Sequence, residues 1–305
     1  MRVLITGGAG YVGNELVYRL AAARGIDEIV IYDNLAKGNY NLFTGLRKLP
    51  RANIRFVRGD ILDSRKLRKL MAGVDVVYHL AATVSTANAE QNPHAFEQTN
   101  HWGTAELVYA VEESEVQRLV YLSSVAVYGV GASVEDASAP TRPESYYGIT
   151  KLRGEEHVRR LMEKRRCYVV RAANIYGYSK NLRMDATINR LLFDAHFDGR
   201  ITLHGAVSHR RPYISMARAV DILHQLASTT LPGGVYNLVD KNQSIADVID
   251  TLRELYPSLE MIFVDQHMPL LDLEVRPDPA MGALHALPER SLAEDLREFR
   301  EMFTF

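Results

Sequence analysis

The chain's 305 residues suit one α/β domain with a smaller lobe, and 47% hydrophobic against 24% charged residues is an ordinary globular balance. A formal net charge of −1 argues against a nucleic-acid-binding surface, and Cys167, the single cysteine, excludes an intrachain disulfide or a cysteine-rich zinc site. There is no HExxH spacing, no apolar run near the ~18 residues of a membrane span and no leader pattern before "MRVLIT", so the expectation is a cytoplasmic enzyme without metal, membrane or nucleic-acid partner.

The first predicted strand, "RVLIT" (2–6), runs into "GGAGYVG" and then an amphipathic helix over 12–23. Gly7, Gly10 and Gly13 have the spacing GxxGxxG. Such glycines let the backbone turn tightly and approach a pyrophosphate, while the helix start offers free N–H groups and a favourable dipole. Tyr11 and Val12 lie inside this loop. The second strand, "EIVIY" (28–32), ends at Asp33-Asn34, 20 residues after Gly13. A carboxylate there accepts hydrogen bonds from ribose hydroxyls and repels a 2′-phosphate, which favours NAD over NADP. The third strand, "IRFVR" (54–58), leads to Asp60 and Ile61, where Asp60 either reaches an adenine edge or sits in a solvated turn.

A helix over 64–72, a strand over 74–80, a helix over 93–113 and the strand "RLVYLS" (118–123) follow. Then come a helix over 147–164 and the strand "CYVVRA" (167–172), in which Cys167 reads as a packing residue. The basic runs "RKLRKLM" and "HVRRLMEKRR" read as exposed helix faces. Strand–helix alternation of this kind predicts a parallel sheet covered by helices on both faces. Further on, "MDATINRLLFDAHFDG" predicts a helix ending at Gly199, "MARAVDILHQLAST" another, "GVYNLV" a strand, and "SIADVIDTLRELYP" a helix capped by Ser244. The proline-rich segment 264–290 reads as irregular, and "SLAEDLREFREMF" as a closing helix. The organisation expected is a dinucleotide-binding unit over 1–175, joined by parts of 208–245, with a second lobe from 176–207 and 246–305.

Two tyrosines precede a lysine by four residues: Tyr147 before Lys151 in "ESYYGITK", and Tyr176 before Lys180 in "YGYSKN". Four residues apart is one face of a helix, and an ammonium held beside a phenol favours the phenolate. Tyr147 opens an amphipathic stretch, so the geometry is available to it. Tyr176 stands in a glycine-broken turn, where the spacing has no such meaning. Ser123 and Ser124 end the fifth strand at the carboxyl edge of the sheet, where open α/β sheets bind ligands. Context therefore selects Tyr147–Lys151, and leaves Tyr146 as a packing residue or a wall of the cleft, while Ser124 taken alone reads as a strand-end hydrogen bond.

Taken together, "ITGGAGYVG", "YDNL", "GDI", "HLAA", "TNHWGT", "SSVAVYG" and "YYGITK" resemble the ordered motifs of the extended short-chain dehydrogenases/reductases, in the NAD-dependent epimerase/dehydratase family, across most of the chain. The resemblance implies a Rossmann-like doubly wound parallel sheet with a smaller C-terminal substrate-binding lobe. It implies NAD held by the loop of Gly7, Gly10, Tyr11, Val12 and Gly13, by Asp33, Asn34, Asp60 and Ile61, by Leu80, Ala81 and Ala82, and by Asn100. It makes Ser124 the partner of the reacting sugar hydroxyl, Tyr147 the general base, and Lys151 the residue that holds the nicotinamide ribose and depresses the Tyr147 pKa. It places Thr83, Asn174 of "RAANIYG", Arg211 of "HRRPYIS", and Arg276 and Asp278 of "VRPDP" at a nucleotide-diphosphate sugar. Pro212 stands where the family pattern has Asp, and the late glycine of the family's R-P-G-D is missing. A surface pair is the other reading of Arg210 and Arg211.

Dehydratases of this family carry an acidic pair after the catalytic Ser/Thr, whereas Val125 and Ala126 follow Ser124 here. The expected reaction is therefore epimerisation, at C4, through a transient ketone. The alternatives are a 4-ketoreductase that releases its cofactor, and a catalytically silent dinucleotide sensor. Relatives of this kind are often dimers through helices such as 93–113 and 147–164, and a homodimer is expected on that ground.

Overall fold

The computed structural model describes residues 1–44, 48–49, 53–84, 92–264 and 272–305. Its strands are β1 (Arg2–Thr6), β2 (Glu28–Asp33), β3 (Asn53–Arg58), β4 (Val76–His79), β5 (Arg118–Ser124), β6 (Ala132–Val134) and β7 (Arg166–Ala172), then β8 (Asn174–Tyr176), β9 (Arg200–His204), β10 (Arg210–Ser215), β11 (Gly234–Leu238), β12 (Lys241–Ser244), β13 (Glu260–Val264) and β14 (Leu273–Val275). Its helices are α1 (Tyr11–Ala21), α2 (Ser64–Leu70), α3 (Pro93–Phe96), α4 (Gly103–Glu112), α5 (Tyr146–Leu161), α6 (Thr187–Phe197), α7 (Met216–Gln225), α8 (Ile245–Leu255), α9 (Pro279–Gly282) and α10 (Leu292–Glu301).

Seven strands form one parallel sheet in the order β11-β7-β5-β4-β1-β2-β3. The chain starts in the middle, builds outwards through β2 and β3, then crosses back to β4. Its carboxyl edge therefore opens a crevice between β1 and β4, the place where such sheets bind ligands. Both faces of its central strands are buried. Val3 and Ile5 point to the layer that includes α1 and α7, whereas Leu4 points to the layer that includes α2, α4 and α5. This two-sided burial is why these strands are unbroken β-branched runs rather than alternating ones. Each fully covered Leu or Ile contributes about 1.5–3 kcal/mol relative to exposure.

The second lobe has its own core, in which Leu191 and Leu192 of α6 meet Val248 and Leu252 of α8 and Leu296 and Phe299 of α10. Ser244 closes a capping box with Asp247 at the start of α8, as its position suggested. The stretch 264–290, expected to be irregular, carries β14 and the short α9; within it, 265–271 lie outside the described residues. The helix expected over 93–113 runs without a break over 93–112, but it is not α-helical throughout. A π-helical turn, Glu97–Trp102, separates α3 from α4, and the Thr104 hydroxyl donates to the Asn100 carbonyl (2.6 Å) within it. A wider turn of this kind is a frequent mark of a functional site. Among the described residues no helix is long and apolar enough to cross a membrane.

Candidate active site

The glycine turn after β1 is tight for reasons its atoms state. Gly7 has φ +70°, and a Cβ there would lie 2.6 Å from the Ala81 nitrogen. A Cβ on Gly13 would lie 2.3 Å from the Gly7 carbonyl oxygen. Gly10 stands at the N-cap of α1 and donates to the Gly7 carbonyl (3.0 Å). No side chain caps this helix start and no acid lies in its first turn. Its N–H groups and dipole are thus left to an anionic ligand, which is what a pyrophosphate requires. The Tyr11 side chain reaches the segment that follows β8 and helix α6. Its hydroxyl donates to the Gly177 carbonyl (2.7 Å) and accepts from Asn189 Nδ2 (3.1 Å). Val12 follows it in the first turn of α1.

Asp33 ends β2 and looks across this turn. One carboxylate oxygen accepts from the Ala9 N–H (3.0 Å) and the other from the Leu35 N–H (2.8 Å). Burial raises its pKa, and these two bonds oppose the rise. Leu35 is held at φ +58°, a left-handed backbone that a leucine adopts only under constraint. Asn34 Nδ2 donates to Asp60 (3.0 Å), Asp60 also accepts the Leu62 N–H (3.0 Å), and both residues are exposed at the sheet edge. Ile61 is buried against the space that Gly103 leaves open, so its side chain serves packing.

Beyond β4, a buried chain of hydrogen bonds joins the glycine turn to the π-helical turn. Ala81 donates to Thr6 Oγ1 (3.4 Å), Thr6 Oγ1 meets His79 Nδ1 (2.8 Å), and His79 Nε2 meets Thr104 Oγ1 (2.9 Å). Because the Thr104 hydroxyl is already donated to Asn100, it must accept from Nε2–H, so Nδ1 accepts from Thr6. His79 is neutral: burial, and next the Lys151 charge, bring its pKa down to about 3. Leu80 donates to the Thr6 carbonyl (3.0 Å). Asn100 brackets Thr83, taking its N–H (2.8 Å) and donating to its carbonyl (3.0 Å) and to Thr150 (3.2 Å). Ala82 lies between these two anchors.

Helix α5 begins at Tyr146, with Ser145 as its cap. Ser124 ends β5, and its hydroxyl is near enough to the Tyr147 phenol to lower its pKa. The expected lowering of Tyr147 by Lys151 is not found. Burial dominates and raises the phenol, and the cation that opposes it is Arg183, with Ser124 next. Lys151 instead donates to the Leu122 carbonyl (2.8 Å) and lies 4.9 Å over the Tyr121 ring. Burial brings its ammonium down to about 7, against the raising effect of Glu155.

The expected substrate contacts differ among themselves. Arg211 is half-buried and its guanidinium makes no hydrogen bond or ion pair among the described residues. Burial lowers its pKa, with Tyr213 and Asp272 acting the other way. A covered guanidinium with no acceptor suits an anion. Arg210 is the surface partner of that doublet, bonded to Glu274 (2.6 Å) and the Asn242 carbonyl (2.7 Å). Asn174 is exposed and donates to the Pro212 carbonyl (3.1 Å). Arg276 meets Glu135 (3.2 Å) in an exposed pair, and Asp278 is spent capping α9 through the Ala280 N–H (2.9 Å). The cavity of about 210 Å³ that these two share with Glu135, Asp136 and Asn237 holds three acids to one base, a poor match for a diphosphate.

Two features went unread in the sequence. Arg183, tied to Asp185 (2.8 Å) and the Val84 carbonyl (3.0 Å), brings its charge to bear on both Tyr147 and Tyr11. The segment 177–181 also docks onto the glycine turn. Ser179 donates to the Tyr11 carbonyl (3.0 Å), Asn181 donates to the Ala9 carbonyl, and Lys180 Nζ donates to Tyr18 (2.8 Å) and the Thr44 carbonyl (3.0 Å). Neither has a local sequence signal, since both depend on a loop returning from the second lobe.

A family model described as the NAD dependent epimerase/dehydratase family matches residues 3–238. A curated dTDP-D-glucose 4,6-dehydratase of Mus musculus is 28% identical over 246 residues, covering 78% of this chain and 67% of that protein. A UDP-glucose 4-epimerase of Streptomyces lividans is 37% identical over 155 residues, covering 50% of this chain and 44% of its own. The solved structure of MoeE5 in complex with UDP-glucuronic acid and NAD superposes with a TM-score of 0.83 at 26% identity, over 99% of this chain and 98% of that one.

Proposed function

Because the chain belongs to the NAD dependent epimerase/dehydratase family, whose cofactor is NAD, we propose that it is a nucleotide-sugar 4-epimerase with Tyr147 as the base. The observation that carries this reading is what surrounds Ser124. Val125 and Ala126 follow it, and the acids near the centre are engaged elsewhere: Asp185 with Arg183, and Glu155 with Arg171. Eliminating water from the sugar needs an acid for the leaving hydroxyl. Proton and hydride exchange at one carbon needs only Tyr147, Ser124 and Lys151.

The glycine turn, the uncapped start of α1 and Asp33 suit the pyrophosphate and ribose of a dinucleotide. Bound NAD would supply the hydride acceptor and a positive ring near the phenol. Tyr147, neutral in the ligand-free protein, first loses its phenol proton to solvent, an ionisation that this positive ring would favour; as the phenolate it takes the proton of the sugar's C4 hydroxyl while C4 gives up its hydrogen as hydride. Ser124 holds the oxygen, and Lys151, anchored to Leu122, has two N–H groups left for ribose hydroxyls. The resulting ketone turns in the cleft, takes hydride back on its other face and regains the proton from Tyr147. Arg211 is the residue proposed for the diphosphate. A homodimer belongs to the same reading, supported by the exposure of Trp102 and Tyr109 (50% and 43%) on or beside α4 and of Tyr146 (44%) on α5.

The test is to incubate the purified protein with UDP-, dTDP-, GDP- and CDP-sugars, without added cofactor, and follow the products by NMR. A C4 epimer supports the reading. Stoichiometric consumption of added NADH on a keto-sugar points to a reductase, and loss of water from the sugar to a dehydratase.

A further inference from the structure

Directly beneath the proposed centre lies a buried ion pair that the mechanism above does not use. Glu155 is on α5, one turn after Lys151 and two after Tyr147, and its side chain is fully buried. Its carboxylate accepts from Ser123 Oγ (2.6 Å), from Arg171 Nε (3.0 Å) and from Arg171 Nη2 (2.7 Å), with Arg159 at the rim (3.2 Å). Arg171, on β7, is buried as deeply. Its Nη1 donates to the Tyr128 hydroxyl (2.9 Å) and the Ala137 carbonyl (3.0 Å), and Tyr128 donates to Asn237 on β11 (2.6 Å).

Removing two charges from water costs several kcal/mol per ion, and apolar replacements of such pairs are often as stable. Stability alone is therefore a weak reason for this pair. Its location offers a better one. Ser123 is the residue before Ser124, Tyr128 ends the short turn that Ser124 begins, and Lys151 shares the helix face. From this centre we infer that Glu155 is a positioning residue for Ser124, Tyr147 and Lys151: it ties β5, β7 and α5 together and sets a buried carboxylate one helical turn from Lys151. The inference rests on the epimerase reading for what the centre does, but not for how Lys151 is charged.

The groups around Lys151 bear this out. His79 faces it from β4 and is neutral, Tyr121 faces it from β5 as an aromatic ring, and Tyr147 shares its face of α5 as an uncharged phenol. Leu122 offers a neutral carbonyl, and Arg171 on β7 lies behind the carboxylate. Glu155 is the one acid among the described residues whose charge supports the ammonium. Glu155→Gln keeps the shape and removes that charge, so Lys151 gives up its proton at lower pH.

The experiment has three variants and two readouts: the pH dependence of kcat and KM, and the titration of Lys151 by NMR of ε-¹³C-lysine-labelled protein, assigned with Lys151→Arg. Glu155→Gln should lower kcat about tenfold with KM within about twofold, and move both the alkaline loss of kcat and the Lys151 titration down by about one pH unit. Glu155→Asp, which keeps the charge, should recover most of the titration and part of kcat. Glu155→Met/Arg171→Met removes both charges, restores packing and guards against a single variant that fails to fold. It should melt near the wild type yet keep the lowered titration. A Lys151 titration unmoved in either charge-removing variant overturns the inference, as does a double variant with wild-type kcat at every pH. If the nucleotide-sugar reading itself fails, the wild type gives no epimer, while the titration still reports on Glu155.

Discussion

Tyr147–Lys151 and Tyr176–Lys180 share one spacing and end in opposite circumstances. On α5 the four residues make one turn, so both side chains lie on one face of the helix. After β8 the chain turns at Gly177 (φ +118°), and the second pair is pulled apart. The Tyr176 hydroxyl goes into the second lobe's core, donating to Asp295 (2.6 Å), while Lys180 reaches back to Tyr18 and Thr44. A spacing has chemical meaning only on the element that gives it geometry. The second pair is still not idle, because Lys180 fastens the loop that lies over the glycine turn.

The sharpest way to break the comparison is at Tyr147. Tyr147→Phe should lower kcat/KM by about 10³-fold or more, within the range of a lost general base. Steady-state kinetics with a saturating nucleotide sugar measure it. Activity close to wild type would remove the distinction between the pairs.

Lys151 gives a prediction in pH. Its folded pKa of about 7 lies below the ordinary lysine value, so between the two the unfolded chain binds more protons and stability rises with pH. The stability this group contributes is therefore fully present above its unfolded value and is lost as pH falls to about 7. Lys151→Met, which does not titrate, should melt above the wild type at pH 7 in the absence of cofactor, and that gap should narrow towards pH 10. A constant gap in thermal scans would mean that Lys151 is not held as a strained ammonium.

Smaller effects belong to the second pair. Lys180→Met should raise the NAD dissociation constant about tenfold, the size of a lost charged hydrogen bond, as followed by quenching of protein fluorescence. Tyr176→Phe should cost about 1–2 kcal/mol of unfolding free energy in denaturant titration, leaving NAD affinity unchanged. If Tyr176→Phe weakened NAD binding as much as Lys180→Met, the two residues would be coupled after all.

The same contrast explains what was legible in the sequence. The central strands of the main sheet read as β-branched runs because they are buried on both faces, and the glycine turn reads because no side chain fits there. Short strands such as β6, β8 and β14 carry no such run, since only pairing with distant partners makes them strands. The π-helical turn at Asn100 involves a side chain four residues on, and the pairing of Glu155 with Arg171 depends on the meeting of a helix with a strand. Arg183 and Lys180 act through a loop whose path is set by the second lobe. Asp278 shows the other side of this, a motif-like residue that the fold also uses as a helix cap.

The most direct measurement is NMR of the protein, purified with whatever NAD it retains, turning over a panel of nucleotide sugars with no cofactor added, beside the Tyr147→Phe variant. The account predicts that one sugar is converted to its C4 epimer with no net NADH formed, and that Tyr147→Phe leaves it untouched. A dehydrated product, a requirement for stoichiometric NADH, or epimer formed at full rate by Tyr147→Phe would contradict it.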